Sequence, residues 1–192
     1  AAAAVASPAF ALFGKSKPRD AQPAQAEAKP PAEAAKADAA SPRKSTPEQR
    51  ALAERLDPLG RAAFWAREVE VDPNDAKAGI NLARALRQLG RVEEAMRAAD
   101  LVLVGAPNDL EAILESARAK IAGGKGFYAI EVLQRGETLA PKDWRPVSLL
   151  GVALEQSRRP EEALAAFTRA LALSPENPAV LSNLGLFHAA RG

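Results

Sequence analysis

Residues 141–175 read PKDWRPVSLLGVALEQSRRPEEALAAFTRALALSP, and the proline at each end of this stretch belongs to a longer series. Pro73, Pro107, Pro141 and Pro175 stand 34 residues apart at every step. The same interval links Ala95, Ala129 and Ala163, and it links Ala83, Ala117, Gly151 and Gly185. It also links Gly90, Gly124 and Gly192, with Arg158 interrupting that column. Self-similarity at a fixed period of 20–50 residues marks a repeat architecture.

Each column has a physical reason. The Ala/Gly positions lie mid-helix, where a small side chain lets a neighbouring helix approach closely. The glycines fall where a first helix must end in a left-handed turn, so Arg158 there should cost about 1 kcal/mol or force another turn. The prolines end the second helix of each unit. Two residues later, Asp75, Asp109, Asp143 and Asn177 are placed to cap the next helix, and Pro178 suits a first helical position.

Composition agrees. The chain is 47% apolar but only 5% aromatic, and its apolar residues are mostly Ala and Leu, which favour helix over sheet. The expected fold is all-α. Net charge is +2, with 8 Lys/Arg against 5 Asp/Glu in residues 1–50 and 18 against 19 in residues 51–192. That balance, with so few aromatics, argues against a nucleic-acid surface. No cysteine is present, which removes disulfides, thiolate metal sites and cysteine nucleophiles. No apolar run is long enough to span a bilayer.

This pattern resembles the tetratricopeptide-repeat (TPR) family, whose 34-residue unit is a helix, a short turn and a second helix ending near a proline. Trp144, Leu150-Gly151, Leu154, Ala163, Phe167, Ala170 and Pro175 match its signature positions. The resemblance implies a right-handed superhelical solenoid of antiparallel helix pairs over residues 52–192. Its parts are a degenerate unit or N-terminal cap at 52–75, units 76–109, 110–143 and 144–177, and a half unit 178–192, where the chain is expected to continue into a missing partner helix or to dock. Residues 14–51 lack Val, Ile, Leu, Met, Phe, Trp and Tyr, so a disordered Ala/Pro/Lys-rich linker is expected there. Residues 1–13 read either as the remnant of a signal peptide, with Ala9-Phe10-Ala11 or Ala4-Val5-Ala6 as the cleavage motif, or as an Ala-rich disordered start.

Signals for chemistry are weak. Gly14-Lys15-Ser16 lacks the earlier glycine of a phosphate loop, and Gly123-Gly124-Lys125-Gly126 falls in an expected turn. His188 is the single histidine and is expected to pack on its neighbouring helix. Glu93-Glu94 and Glu161-Glu162 open second helices, where carboxylates complement the dipole. Trp144, Phe167 and at least one of Phe64 and Trp65 are assigned to the core. No catalytic set, metal site or cofactor is expected, and the chain reads as a non-enzyme.

The family resemblance implies that first helices line a concave groove for a peptide or helix of a protein partner. The residues expected to face it are Lys77, Ile80, Asn81, Arg84 and Arg87; Glu111, Leu114, Arg118 and Ile121; Arg145, Ser148, Val152 and Glu155; and Asn183 and Leu186. This mixed surface suits an acidic or amphipathic ligand. Lys77 and Asn81 are in register with part of the family's carboxylate clamp, but Ile80 and Arg84 depart from it, so that activity is not expected. The runs Ala140–Arg145, Leu150–Gln156 and Pro178–Leu186 further resemble the TPR protein of the bacterial tight-adherence (Tad/Flp) pilus assembly system. That resemblance implies an assembly factor on the periplasmic side of the cell envelope, with pilus or secretion components as partners. The alternatives are an adaptor of another envelope pathway such as cytochrome maturation, the regulatory part of a larger enzyme, or a cytoplasmic location.

Overall fold

A computed structural model describes residues 43–192; the expected signal-peptide remnant and the linker up to residue 42 lie outside them. The described residues are helical, without a strand. The helices are α1 (Pro47–Ala53), α2 (Pro58–Val71), α3 (Ala76–Gln88), α4 (Val92–Gly105), α5 (Leu110–Ala122), α6 (Ile130–Leu139), α7 (Trp144–Gln156), α8 (Pro160–Leu173) and α9 (Pro178–Ala189), with a 3-10 turn Gly126–Ala129 leading into α6. The first helices α3, α5, α7 and α9 begin at 34-residue intervals.

The caps form as the sequence predicts. Asp75 accepts from the Ala78 amide at 3.0 Å, Asp109 from Ala112 at 3.0 Å, Asp143 from Arg145 at 2.8 Å and Asn177 from Ala179 at 3.0 Å. Each satisfies an amide that the helix itself leaves free. At the other end, the amides of Arg91, Lys125 and Arg159 donate to the carbonyls of Leu86, Lys120 and Leu154 at 2.8–3.0 Å. This is one Schellman-type closure repeated three times. Its left-handed residue is Gly90 (φ 74°), Gly124 (φ 68°) and Arg158 (φ 56°). Arg158 therefore adopts the glycine geometry, and no alternative turn replaces it.

Packing follows the small-residue columns. Ala83, Ala95, Ala117, Ala129 and Ala163 are fully buried. Gly151 is tighter still: a Cβ there would lie 2.5 Å from Cε1 of Phe167. The largest core cluster joins Ile113, Leu133, Leu150, Leu154, Phe167 and Phe187. Phe167 meets Phe187 edge to face at 5.6 Å. Trp65 is buried and Phe64 half-buried, while Trp144 packs at the edge of a cluster of Val147, Ala170 and Val180. His188 departs from expectation. It is exposed and touches only the edge of the Phe187 ring among aromatics.

One boundary is corrected. The linker expected over residues 14–51 ends earlier, because α1 begins at Pro47. Thr46 and Gln49 form a reciprocal capping box, with Pro47 in the first turn. Only Ala53 of α1 is buried. What holds the helix is polar: Arg50 donates to Glu68 from Nε at 2.8 Å and to Asp75 from Nη2 at 2.7 Å, and the Ser45 hydroxyl donates to Glu68 at 2.8 Å. Apolar content could not reveal a helix anchored this way.

Candidate partner-binding groove

Within the stack, α3 packs on α5, α5 on α7 and α7 on α9, whereas the backbones of α4, α6 and α8 stand further apart, α8 reaching α6 through the Arg169–Glu137 ion pair at 3.2 Å. A layer in mutual contact beside a splayed layer curves toward the first, so the first helices form the concave face. Its residues can be followed by column. Lys77, Glu111 and Arg145 start the stripe, Asn81 continues it, and Arg84, Arg118, Val152 and Leu186 occupy the middle. Arg87, Ile121 and Glu155 lie nearer the turn edge. Lys77 and Leu186 are exposed, and Arg84, Arg87, Glu111, Arg118, Ile121, Arg145, Val152, Glu155 and Asn183 are partly so.

Two expected ligand contacts are corrected. Leu114 is fully buried and Ser148 nearly so, because their column faces the neighbouring first helix rather than the open groove. Ser148 is used structurally, accepting from the Asn183 amide at 3.0 Å. Ile80 and Asn81 are also nearly buried, yet both still border a recess of about 430 Å³ with Lys77, Arg84, Asp109 and Glu111.

The residue that sequence reading missed is Glu115. Its side chain has no exposed surface, and three guanidinium groups surround it: Arg87 Nε donates to Oε1 at 2.6 Å, while Arg118 Nη1 and Arg84 Nε stand 3.6 and 3.7 Å from Oε2. Oε2 receives no hydrogen bond. The cluster is therefore cation-rich, with Arg84 and Arg118 attracted to the carboxylate but not saturated by it. Burial, with the charges of Arg87 and Arg84, pulls the Arg118 guanidinium below its usual value despite Glu115. The available signal was the three-residue spacing to Arg118 and the shared column with Asn81 and Asn183.

Further along, Arg145 is engaged by Asp143 at 2.7 Å and Glu111 at 2.6 Å, and these bonds, Asp143 first, raise its pKa. Arg191 pairs with Glu155 at 2.8 Å. The C-terminal part of the groove is apolar by contrast. Val152, Phe167, Leu186 and Phe187 border a recess of about 190 Å³ together with Asn183 and Glu155. The groove thus runs from the arginine cluster around Glu115 on α3 and α5 to an apolar recess at α7 and α9. Among the described residues no cluster of His, Cys, Asp or Glu suits a metal, and no helix is long and apolar enough to cross a membrane.

Comparison with known proteins agrees with this geometry. The tetratricopeptide repeat matches residues 58–109 and 129–192. No curated protein matches significantly. Among solved structures, MamA (residues 41 to the end) from Desulfovibrio magneticus RS-1 is 26% identical, with 74% of this chain and 80% of that one covered and a TM-score of 0.65. TTC0263, a thermophilic TPR protein of Thermus thermophilus, is 23% identical over 76% and 82%, with a TM-score of 0.65. The first TPR domain of human RPAP3 is 20% identical over 62% and 93%, with a TM-score of 0.56. The last two speak to fold alone. TPR domains bind protein partners and are generally non-enzymatic scaffolds, and with the repeat matched over more than half its length this chain belongs to the tetratricopeptide-repeat family.

Proposed function

We propose that the chain is a non-catalytic assembly scaffold whose concave face holds an amphipathic segment of another protein, acidic at one end and apolar at the other. The observation that carries this reading is the Glu115 cluster. Three arginines share one buried carboxylate, and Lys77 beside them has no ion-pair partner among the described residues. An acidic side chain entering there would complete bidentate bonds that Glu115 leaves open. The apolar recess at Val152 and Leu186 would take the other end.

The finer proposal is a role in assembling a Tad/Flp-type pilus or secretion machine on the periplasmic side of a bacterial envelope. It is supported by the Asp143-Trp144-Arg145 and Asn183-Leu184-Gly185-Leu186 motifs. In-cell crosslinking of a C-terminally tagged protein, followed by mass spectrometry of the envelope fraction, tests it. Recovery of secretin, ATPase or platform components is the expected result, and Lys77→Ala with Arg84→Ala should reduce their yield. Recovery of unrelated envelope machinery, or of cytosolic proteins alone, would sink the pilus reading.

A further inference from the structure

The turns joining α3 to α4, α5 to α6 and α7 to α8 lie along one edge of the stack. Lys125 of the middle turn reaches Glu93 of the turn before it at 2.8 Å, and Gln156 donates back to the Ile121 carbonyl at 2.9 Å. The three turns are not alike. Helices α4 and α8 open on Glu93-Glu94 and Glu161-Glu162, carboxylates that favour a helix N-terminus. At the same place in the middle repeat stand Phe127 and Tyr128. Their side chains are 67% and 68% exposed and meet edge to face, with ring centroids 5.6 Å apart.

The backbone is shaped to present them. In this repeat alone among the three, the second helix starts with a 3-10 turn, Gly126–Ala129. Gly126 is pressed onto α7, where a Cβ would lie 2.8 Å from the Ala153 carbonyl oxygen. Exposed adjacent aromatics of this kind are typical anchors of protein interfaces.

We propose that Phe127 and Tyr128 form the centre of an interface with a second copy of this chain, related by a two-fold axis through the aromatic pair. The charge around the pair selects that occupant. The three turns carry Arg91, Lys125, Arg158 and Arg159 against Glu93, Glu94, Glu161 and Glu162, so the edge is neutral and a partner of one sign gains nothing from it. A two-fold axis in the middle repeat lays the α3–α4 turn of one copy on the α7–α8 turn of the other. Arg158 and Arg159 then meet Glu93 and Glu94 of the second copy, and Arg91 meets Glu161, so that the pairs Arg91–Glu94, Lys125–Glu93 and Arg159–Glu162 made within each copy are extended across the axis. Within one copy Arg158 and Glu161 have no ion-pair partner among the described residues, so both are available for this contact. The aromatics supply on the order of 250 Å² per copy. The flanking turns extend the contact toward the roughly 800 Å² per partner of a standard interface.

Sedimentation velocity of the 192-residue chain over a range of concentrations tests this independently of the groove. A reversible dimer is expected. Phe127→Glu with Tyr128→Glu copies the flanking repeats, so its thermal melt should match the parent while dimerisation weakens at least about tenfold. Arg158→Glu with Arg159→Glu should also weaken it, and adding Glu93→Arg with Glu94→Arg should restore it. A parent that stays monomeric up to about 100 µM, where even weak specific contacts register, would overturn the proposal. So would a dimer indifferent to the aromatic substitutions, or a charge swap that fails to restore association.

Discussion

Gly151 and Gly185 occupy the same column of the repeat, yet what surrounds them differs. A Cβ at Gly151 would strike the Phe167 ring, whereas at Gly185 nothing lies within 4 Å. Gly151→Ala should therefore lower stability by about 1–3 kcal/mol through overpacking. Gly185→Ala should be neutral or raise it by up to about 1 kcal/mol, the helix-propensity difference. Denaturant melts of the two variants separate these outcomes. Arg158 provides the complementary case, since it holds φ 56° where its counterparts are Gly90 and Gly124. Arg158→Gly should stabilise by about 0.5–1 kcal/mol, read as a higher Tm. The column and its break were legible in the sequence; that the turn kept its geometry required the backbone.

At the scale of elements, α1 and the helix pairs are held by different forces. The α7–α8 pair closes around Ala163, which has no exposed surface, so Ala163→Trp should cost about 1–3 kcal/mol or more. Helix α1 depends on Arg50, Glu68 and Asp75. Burial works against the Glu68 and Asp75 carboxylates, but bonds from Ser45 and Arg50 to Glu68, and from Arg50 and the Ala78 amide to Asp75, outweigh it and lower both pKa values. A carboxylate depressed in the folded state contributes its stability above the unfolded pKa, and that contribution is lost as the pH falls through the folded one. Docking of α1 should thus be complete above about pH 5 and weaken below the usual carboxylate range. Arg50→Ala should release α1 at neutral pH by removing charged hydrogen bonds worth about 1.5–3 kcal/mol each. Hydrogen exchange confined to residues 47–53 would report it; unchanged protection there would show that apolar contacts suffice.

Across the whole molecule, the Glu115 cluster links stability to binding. Replacing the buried carboxylate leaves Arg84, Arg87 and Arg118 to repel one another. Glu115→Gln should cost about 3 kcal/mol while tightening capture of acidic ligands by the same arginines. Chemical denaturation and titration with an acidic peptide should therefore move in opposite directions, and parallel losses would mean that Glu115 itself faces the ligand. The stripe holding these residues was only partly legible. The family resemblance, carried along the 34-residue period, assigns Lys77, Arg84, Arg118 and Arg145 to the concave face, where they lie at least partly exposed, but it assigns Leu114 and Ser148 there too, and both are buried. Period identifies a helix face; whether that face meets water depends on how closely the next first helix approaches.

The sequence by itself determined the period, the helix pairing, the caps and the turn positions, because each is a local rule repeated every 34 residues and needs no distant contact to be recognised. The tertiary structure alone decided what local rules cannot express. It brought Arg50 to Glu68 and Asp75, buried Glu115 among arginines from two helices, and left Phe127 and Tyr128 outside. Those outcomes depend on distances between residues far apart in the chain, set by the curvature with which one repeat stacks on the next.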